Sequence, residues 1–305
     1  MKQVLVYGDA FVDYVADDAT NRTFTTHVGG TTVNVAVGVS RLGVPASYIT
    51  VTGDDDTSSD VRKKIEKEGV DLAFAKRVPE KRVSGVVVHL TEGFERIFHS
   101  YIDETPDIQV EPEDLQEEAF DRASIFHFAS GTMFHSTALQ TTRKAVTMAK
   151  QRGLYLSFDA NIRLKRWTSE TDCRETIGSF LSVVDLVKVT EEELFFLTGA
   201  GTVEEGIRLL AGHAIPILLV TAGERGTIGV IGSETFHVGV APVEVVDTTG
   251  AGDAFMAGIL RELYKKGVPG DRQGWIEIIR FANRIGALAT TKQGALTALP
   301  RINDL

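Results

Sequence analysis

Nine consecutive residues, Asp247-Thr248-Thr249-Gly250-Ala251-Gly252-Asp253-Ala254-Phe255, bring two glycines, two hydroxyls and two carboxylates to the start of an apolar helical pattern. Glycines let backbone N–H groups come close to a ligand. The first turn of a helix adds unpaired N–H donors and the positive end of a dipole. Together they make a site suited to phosphate. A carboxylate in such a turn is repelled by a bound anion, so Asp253 needs a chemical reason to be there. The reason its position suggests is general-base catalysis: Asp253 takes a proton from a hydroxyl, and Gly250, Ala251 and Gly252 hold the phosphoryl group that this hydroxyl attacks. Read alone, the same residues also fit a plain tight turn with Asp253 as a helix cap. No G-x-x-x-x-G-K-[ST] occurs in the chain, which excludes a Walker-type phosphate loop.

A second stretch, Gly29-Gly30-Thr31-Thr32-Val33-Asn34-Val35-Ala36, also sets glycines before a helix and places one amide among valines and alanines. Small residues admit a ligand to the backbone, and Asn34 can both donate and accept hydrogen bonds, as a polyhydroxylated ligand requires. The seven histidines show no metal-ligand spacing, and the one cysteine, Cys173, has no partner for a C-x-x-C.

The elements that must position these stretches follow from periodicity. Val4–Tyr7, Ala46–Val51, Ser124–Phe128, Tyr155–Phe158, Val184–Val189 and Ile217–Thr221 read as short buried strands. Helical patterns cover Thr31–Leu42, Asp60–Glu68, Ser136–Arg152, Ser169–Ser182, Glu191–Thr198, Gly252–Lys266 and Gln273–Thr291. Val243, Val245 and Val246 read as an apolar strand feeding the phosphate turn. Repeated strand–helix units imply an α/β fold with a mainly parallel sheet covered on both faces. No linker or repeat interrupts the chain, so residues 1–305 read as one domain. Val83–Thr91 and Arg96–Ile102 break the alternation as a hairpin around Glu92-Gly93-Phe94-Glu95; with Asp13–Val28 they form a small β flap. Because sites in open α/β sheets lie at the carboxyl ends of strands, Asp9, Asp13, Asp159, Lys188, Thr221 and Asp247 could share one cleft.

A formal net charge of −10 disfavours a broad nucleic-acid surface or an anionic membrane, while leaving a local nucleotide pocket open. The apolar N-terminal run is too short for a signal h-region, no run reaches transmembrane length, and a lone cysteine fits a reducing compartment; a cytoplasmic protein is the expectation.

The phosphate turn closely resembles the C-terminal signature of ribokinase-like, PfkB-type carbohydrate kinases, and Gly29–Ala36 resembles their N-terminal signature. The resemblance spans essentially the whole chain, its motifs in the family's order, and is closest to fructokinases. It implies a three-layer ribokinase-like fold with a β lid, and a kinase that moves the γ-phosphate of ATP to a sugar hydroxyl with Mg²⁺. Asp253 would be the base. Asp9, Asp13, Gly29, Gly30 and Asn34 would bind sugar, and Arg163 would reach phosphate or sugar oxygens. Asp159-Ala160-Asn161-Ile162-Arg163 resembles a D-x-N-x-R stretch in which Asn161 helps organise metal and phosphate. Glu193 matches a glutamate acting on Mg²⁺ through water, although Thr190 replaces the usual asparagine. Lys188, the T-x-G-x-x-G loop of Thr221, Gly223 and Gly226, and Asn283 would meet the nucleotide. Asp247, Thr249, Ala289, Lys292 and Gly294 match a monovalent-cation loop for K⁺, in which Ala298 replaces a common hydroxyl. The lid implies a homodimer surface.

Fructose is the first expectation; aminoimidazole riboside, ribose and 2-keto-3-deoxygluconate are alternatives. Two readings from other classes are a sugar or nucleotide sensor on a kinase fold, which need not keep Asp253, and a Rossmann dehydrogenase, which lacks its G-x-G-x-x-G after the first strand.

Overall fold

The computed structural model describes residues 2–91 and 96–305. A nine-stranded sheet forms the centre. From one edge its strands are Glu234–Val238, Thr227–Ile231, Ile217–Thr221, Leu186–Thr190, Tyr155–Asp159, Ala123–Ala129, Gln3–Tyr7, Ala46–Ile49 and Val70–Asp71. All neighbours pair in parallel except at the first-named edge, where two antiparallel strands close the sheet. Gln3–Tyr7 is buried along its whole length, as a strand covered on both faces must be.

One face packs against Thr31–Arg41, Ala251–Lys266 and Arg272–Ala289 through a core that includes Val4, Val6, Val35, Phe255, Ile259 and Ile278. The other packs against Ser136–Gln151 and Glu170–Leu181 through Leu5, Phe126, Phe128, Phe158 and Phe180. The result is three layers, as the alternation of elements predicts. A separate four-stranded sheet, in the order Phe24–Gly29, Phe11–Ala16, Ser84–Leu90, Arg96–Ile102, stands over the carboxyl end of the first strand. The expected hairpin turn Glu92–Glu95 lies outside the described residues.

Three expectations change. Residues 243–246 form no strand. Val245 and Val246 are exposed, and the N–H groups of Val246 and Asp247 both donate to the Thr290 carbonyl, 2.8 and 3.1 Å away. The apolar run crosses the surface beside a helix end, with no strand to pair with. The stretch 46–51 divides after Ile49, and Val51–Thr52 pairs instead with Lys76–Arg77. The second helix starts at Asp56, earlier than its apolar pattern, because Asp55 caps it by accepting from the Ser58 N–H.

Thr31–Arg41 and Ala251–Lys266 run in close contact, and small residues permit it. A Cβ added to Gly38 would lie 2.6 Å from the Ala257 Cβ. Farther along, one added to Gly258 would lie 2.9 Å from the Ala282 Cα. Gly38→Val is therefore expected to force the first pair of helices apart and lower stability by about 1–3 kcal/mol, read as a lower melting temperature. Ala257→Gly in the same chain should recover part of the loss. An unchanged melt would show that the crossing has slack.

Candidate active site

The helix Ala251–Lys266 begins where the sequence puts its phosphate turn. Gly250 is its N-cap in the left-handed region at φ +79°, and a Cβ there would also lie 2.9 Å from the Ala295 Cβ, so glycine is required twice over. The first N–H groups of this helix have no partner within it. Gly250, Gly252 and Asp253 line a cleft of about 420 Å³ between the central and small sheets. Asp9, Asp13, Gly30, Asn34, Asn161, Arg163, Lys188, Glu193 and Thr249 line the same cleft.

Asp253 is buried, and its Oδ2 accepts from the Asn34 Nδ2 at 2.8 Å. Burial pushes its carboxyl up to about 7; the Asn34 bond lowers it, the Asp159 charge raises it, and Lys188 and Arg163 lower it. An isolated buried carboxylate is thus poised to change protonation near neutrality, as a general base needs. The second polar atom of Asn34, its Oδ1, is buried with no hydrogen-bond partner.

Beneath the turn, Lys188 Nζ lies 3.1 and 3.3 Å from the two Asp159 oxygens, both side chains almost wholly buried. Burial alone would lower the Lys188 ammonium, but Asp159, Glu193 and Asp253 outweigh it and hold it charged. A Cβ on Gly252 would sit 3.3 Å from that ammonium, so cation and anion turn face each other. Glu193 accepts from the Ile162 and Thr190 N–H groups, 2.8 Å each, in a capping box. Burial raises its carboxyl, Lys188 lowers it and Asp159 raises it. Thr190, in the asparagine's expected place, accepts from the Glu193 N–H and still lines the cleft. Asn161 holds a left-handed backbone at φ +36°, tied by the Thr31 hydroxyl to its Oδ1 and by its own N–H to Asp159.

At the other end, Gly29 makes room for Asp13: a Cβ there would fall 2.4 Å from Asp13 Oδ2. Burial raises the carboxyl of Asp9, offset by Arg166 and Lys81.

Several expected residues lie elsewhere. Thr221, Gly223, Gly226 and Asn283 do not line this cleft. The Asn283 Oδ1 accepts from Thr227 and its Nδ2 donates to the Val238 and Gly239 carbonyls, which ties the final long helix to the sheet edge. Gly226 is needed structurally, since a Cβ there would lie 2.2 Å from the Val238 carbonyl. Asp247, Ala289, Lys292 and Gly294 gather behind the turn. Asp247 Oδ1 accepts from the Thr249 N–H and hydroxyl, and Oδ2 from the Gly294 N–H.

Arg166 carries no sequence signal of its own: with Arg163 and Lys165 it makes three cations in four residues, a pattern usual for solvated surface. In the structure it is largely buried, lines the cleft and packs on Phe11, Tyr101 and Phe134, next to the buried Trp167. Thr31 and Thr32 of the Gly29–Ala36 stretch also line the cleft, as do Gly8, Tyr101 and Phe134, which belong to no motif.

For a metal, no group of three His, Cys, Asp or Glu side chains that could hold an ion alone occurs among the described residues. Glu193 and Asn161 fit a hydrated ion shared with a phosphate, each facing the cleft with spare acceptor capacity. No helix among the described residues is long and apolar enough to cross a membrane.

The raised Asp253 carboxyl has a stability consequence. Its folded-state value exceeds the unfolded one, so the charged form opposes folding; the cost is absent below the unfolded value near 4 and complete above about 7. Asp253→Asn should therefore melt higher than the parent at pH 8, with the gap closing as pH falls from about 7 to 4. A constant gap across that window would show that this carboxyl is not perturbed.

The whole chain matches known proteins. A family model described as pfkB family carbohydrate kinase matches residues 1–302. A fructokinase of Klebsiella pneumoniae is 37% identical over 304 residues, 99% of this chain and 98% of that protein. The crystal structure of fructokinase from Vibrio cholerae O395 in its fructose, ADP and calcium ion bound form superposes with a TM-score of 0.85 at 31% identity, covering 98% of this chain and 96% of that one. Aminoimidazole riboside kinase from Salmonella enterica, complexed with aminoimidazole riboside and an ATP analog, gives 0.85 at 30% identity, covering 99% and 97%. With matches across the whole chain and three layers shared with solved kinases, this protein belongs to the pfkB family of carbohydrate kinases and is a sugar phosphotransferase.

Proposed function

We propose that the protein is a fructokinase that transfers the γ-phosphate of ATP to a hydroxyl of fructose, with Asp253 as general base. The observation that carries this reading is the Asn34–Asp253 bond, which holds the proposed base beside the glycine turn on the wall of the cleft. Fructose would lie between Asp13, Gly30 and Asn34, with the accepting hydroxyl at Asp253. As the hydroxyl oxygen attacks the γ-phosphorus, its proton passes to Asp253 Oδ and the bond to the ADP oxygen breaks. N–H groups of the Gly250–Asp253 turn would face the oxygens on which charge builds up. Lys188 and Arg163 offset the negative charge that phosphate and Asp253 share, and the small sheet, acting as a lid, keeps water from competing as acceptor. Mg²⁺, when bound with Glu193 and Asn161 through water, would neutralise phosphate charge. Thr221, Gly223 and Gly226 would border ATP beyond the cleft. Asp247, Thr249, Ala289, Lys292 and Gly294 would hold K⁺, with Ala298 supplying no hydroxyl to it. A cytoplasmic setting fits the single buried Cys173.

The test is ADP release from Mg²⁺-ATP with fructose, ribose, 2-keto-3-deoxygluconate and aminoimidazole riboside, each with and without K⁺. Fructose should give the highest kcat/KM, falling below pH ~7 as Asp253 takes up a proton. Asp253→Asn should lose at least ~10² in kcat, and Asp247→Asn should remove any K⁺ response. Fastest turnover on another sugar overturns fructose; undiminished turnover in Asp253→Asn overturns the base.

We further propose a homodimer through the small sheet. Its exposed Ile97 and the stacked His89–His99 pair, ring centroids 3.9 Å apart, lie on that sheet. Light scattering after size exclusion should give twice the chain mass of 33.2 kDa at micromolar protein; a monomer there removes the idea.

A further inference from the structure

Arg166 lines the cleft with almost no hydrogen bonding of its own. Its guanidinium carbon stands 4.0 Å from the Phe134 ring centre and 5.1 Å from those of Phe11 and Tyr101. Its side-chain hydrogen bond is to Asp103 Oδ2, long at 3.4 Å. Three aromatic rings and one carboxylate therefore fix the plane of the fork and leave most of its N–H donors unspent. Asp9, whose carboxyl feels the Arg166 charge, lines the same part of the cleft. Arg163, by contrast, is the arginine felt by Asp253. Both arginines line the one cleft. Around Arg166 the charges cancel: Asp9 and Asp103 against Arg166 and the buried Lys81. A locally neutral wall with a rigid donor beside an acceptor suits a hydroxyl, which accepts from one and donates to the other. It does not suit a carboxylate, which would meet Asp9.

We propose that Arg166 is a specificity-determining residue that donates to a hydroxyl oxygen of a neutral sugar, at the end remote from the hydroxyl held at Asp253. The proposal rests on the fructokinase reading. Phe11, Tyr101, Phe134 and Asp103 hold the donor in place, and Asp9 takes the same hydroxyl's proton in a hydrogen bond. Selectivity arises because a substrate lacking that hydroxyl leaves a buried arginine unpaired.

The experiment compares parent, Arg166→Met and Arg166→Lys on fructose and on fructose analogues that each lack one hydroxyl, with KM for ATP and the melting temperature measured alongside. Arg166→Met should raise KM for fructose at least ~10-fold, the loss of a hydrogen bond to a charged group, with kcat and KM for ATP little moved. One analogue should show the same penalty with the parent enzyme and none further with Arg166→Met, and Arg166→Lys should restore part of the discrimination. If Arg166→Met costs the same on fructose and on every analogue, Arg166 only braces the small sheet and the proposal is overturned. If Arg166→Met does not fold, Arg166→Lys carries the same comparison: unchanged ratios across the analogues overturn it. A parent enzyme that phosphorylates no fructose overturns the fructokinase reading first, and this proposal with it.

Discussion

The hydrogen bond from Asn34 to Asp253 joins largely buried side chains 219 positions apart in sequence, on the wall of the cleft. A carboxylate in such a place is costly: raising its value from 3.8 to about 7 corresponds to roughly 4 kcal/mol of preference for the neutral form. The fold tolerates that cost because the two helices carrying the pair are locked together by close-packed small residues, Gly38 on Ala257. Everything else at the site takes its place from this contact. The anion turn is the start of one helix, and the glycines that admit the sugar precede the other.

Charge is arranged around this base in a graded way. Lys188 is buried and held charged by Asp159, while each Glu193 oxygen accepts from one backbone N–H group and keeps further acceptor capacity. The cation is thereby fixed under the phosphate turn, where phosphate brings negative charge, and it does not neutralise Asp253 outright. A preorganised field of this type acts on the transition state with no reorganisation cost at the moment of transfer. It also explains how a carboxylate can share a turn with an anion: the turn's N–H groups, Lys188 and Arg163 outweigh it.

The small sheet completes the cleft with Phe11, Asp13, Val86 and Tyr101. Its strands leave and re-enter the main body near Asp9, Gly30, Val83 and Asp103, and Arg166 lies where several of these crossings meet. Lining of the cleft and seating of the small sheet therefore share residues.

The sequence alone determined the α/β class, the parallel strands, the extra sheet and the Asp253 turn, because each rests on local physics: periodicity, glycine geometry and helix-terminal donors. The turn and the Gly29–Asn34 stretch were legible as chemistry for the same reason. Tertiary structure decided what depends on neighbours. Val245 and Val246 have strand-forming side chains, but no strand lies beside them, so they stay on the surface. Asn283 carries an amide whose partners only the fold supplies: Thr227 and the Val238 carbonyl at the sheet edge. Arg166 looks like surface charge until three aromatic residues from distant segments close around it. Burial and hydrogen-bond partners are properties of the assembled chain, and they set both the proton affinity of Asp253 and the availability of Arg166.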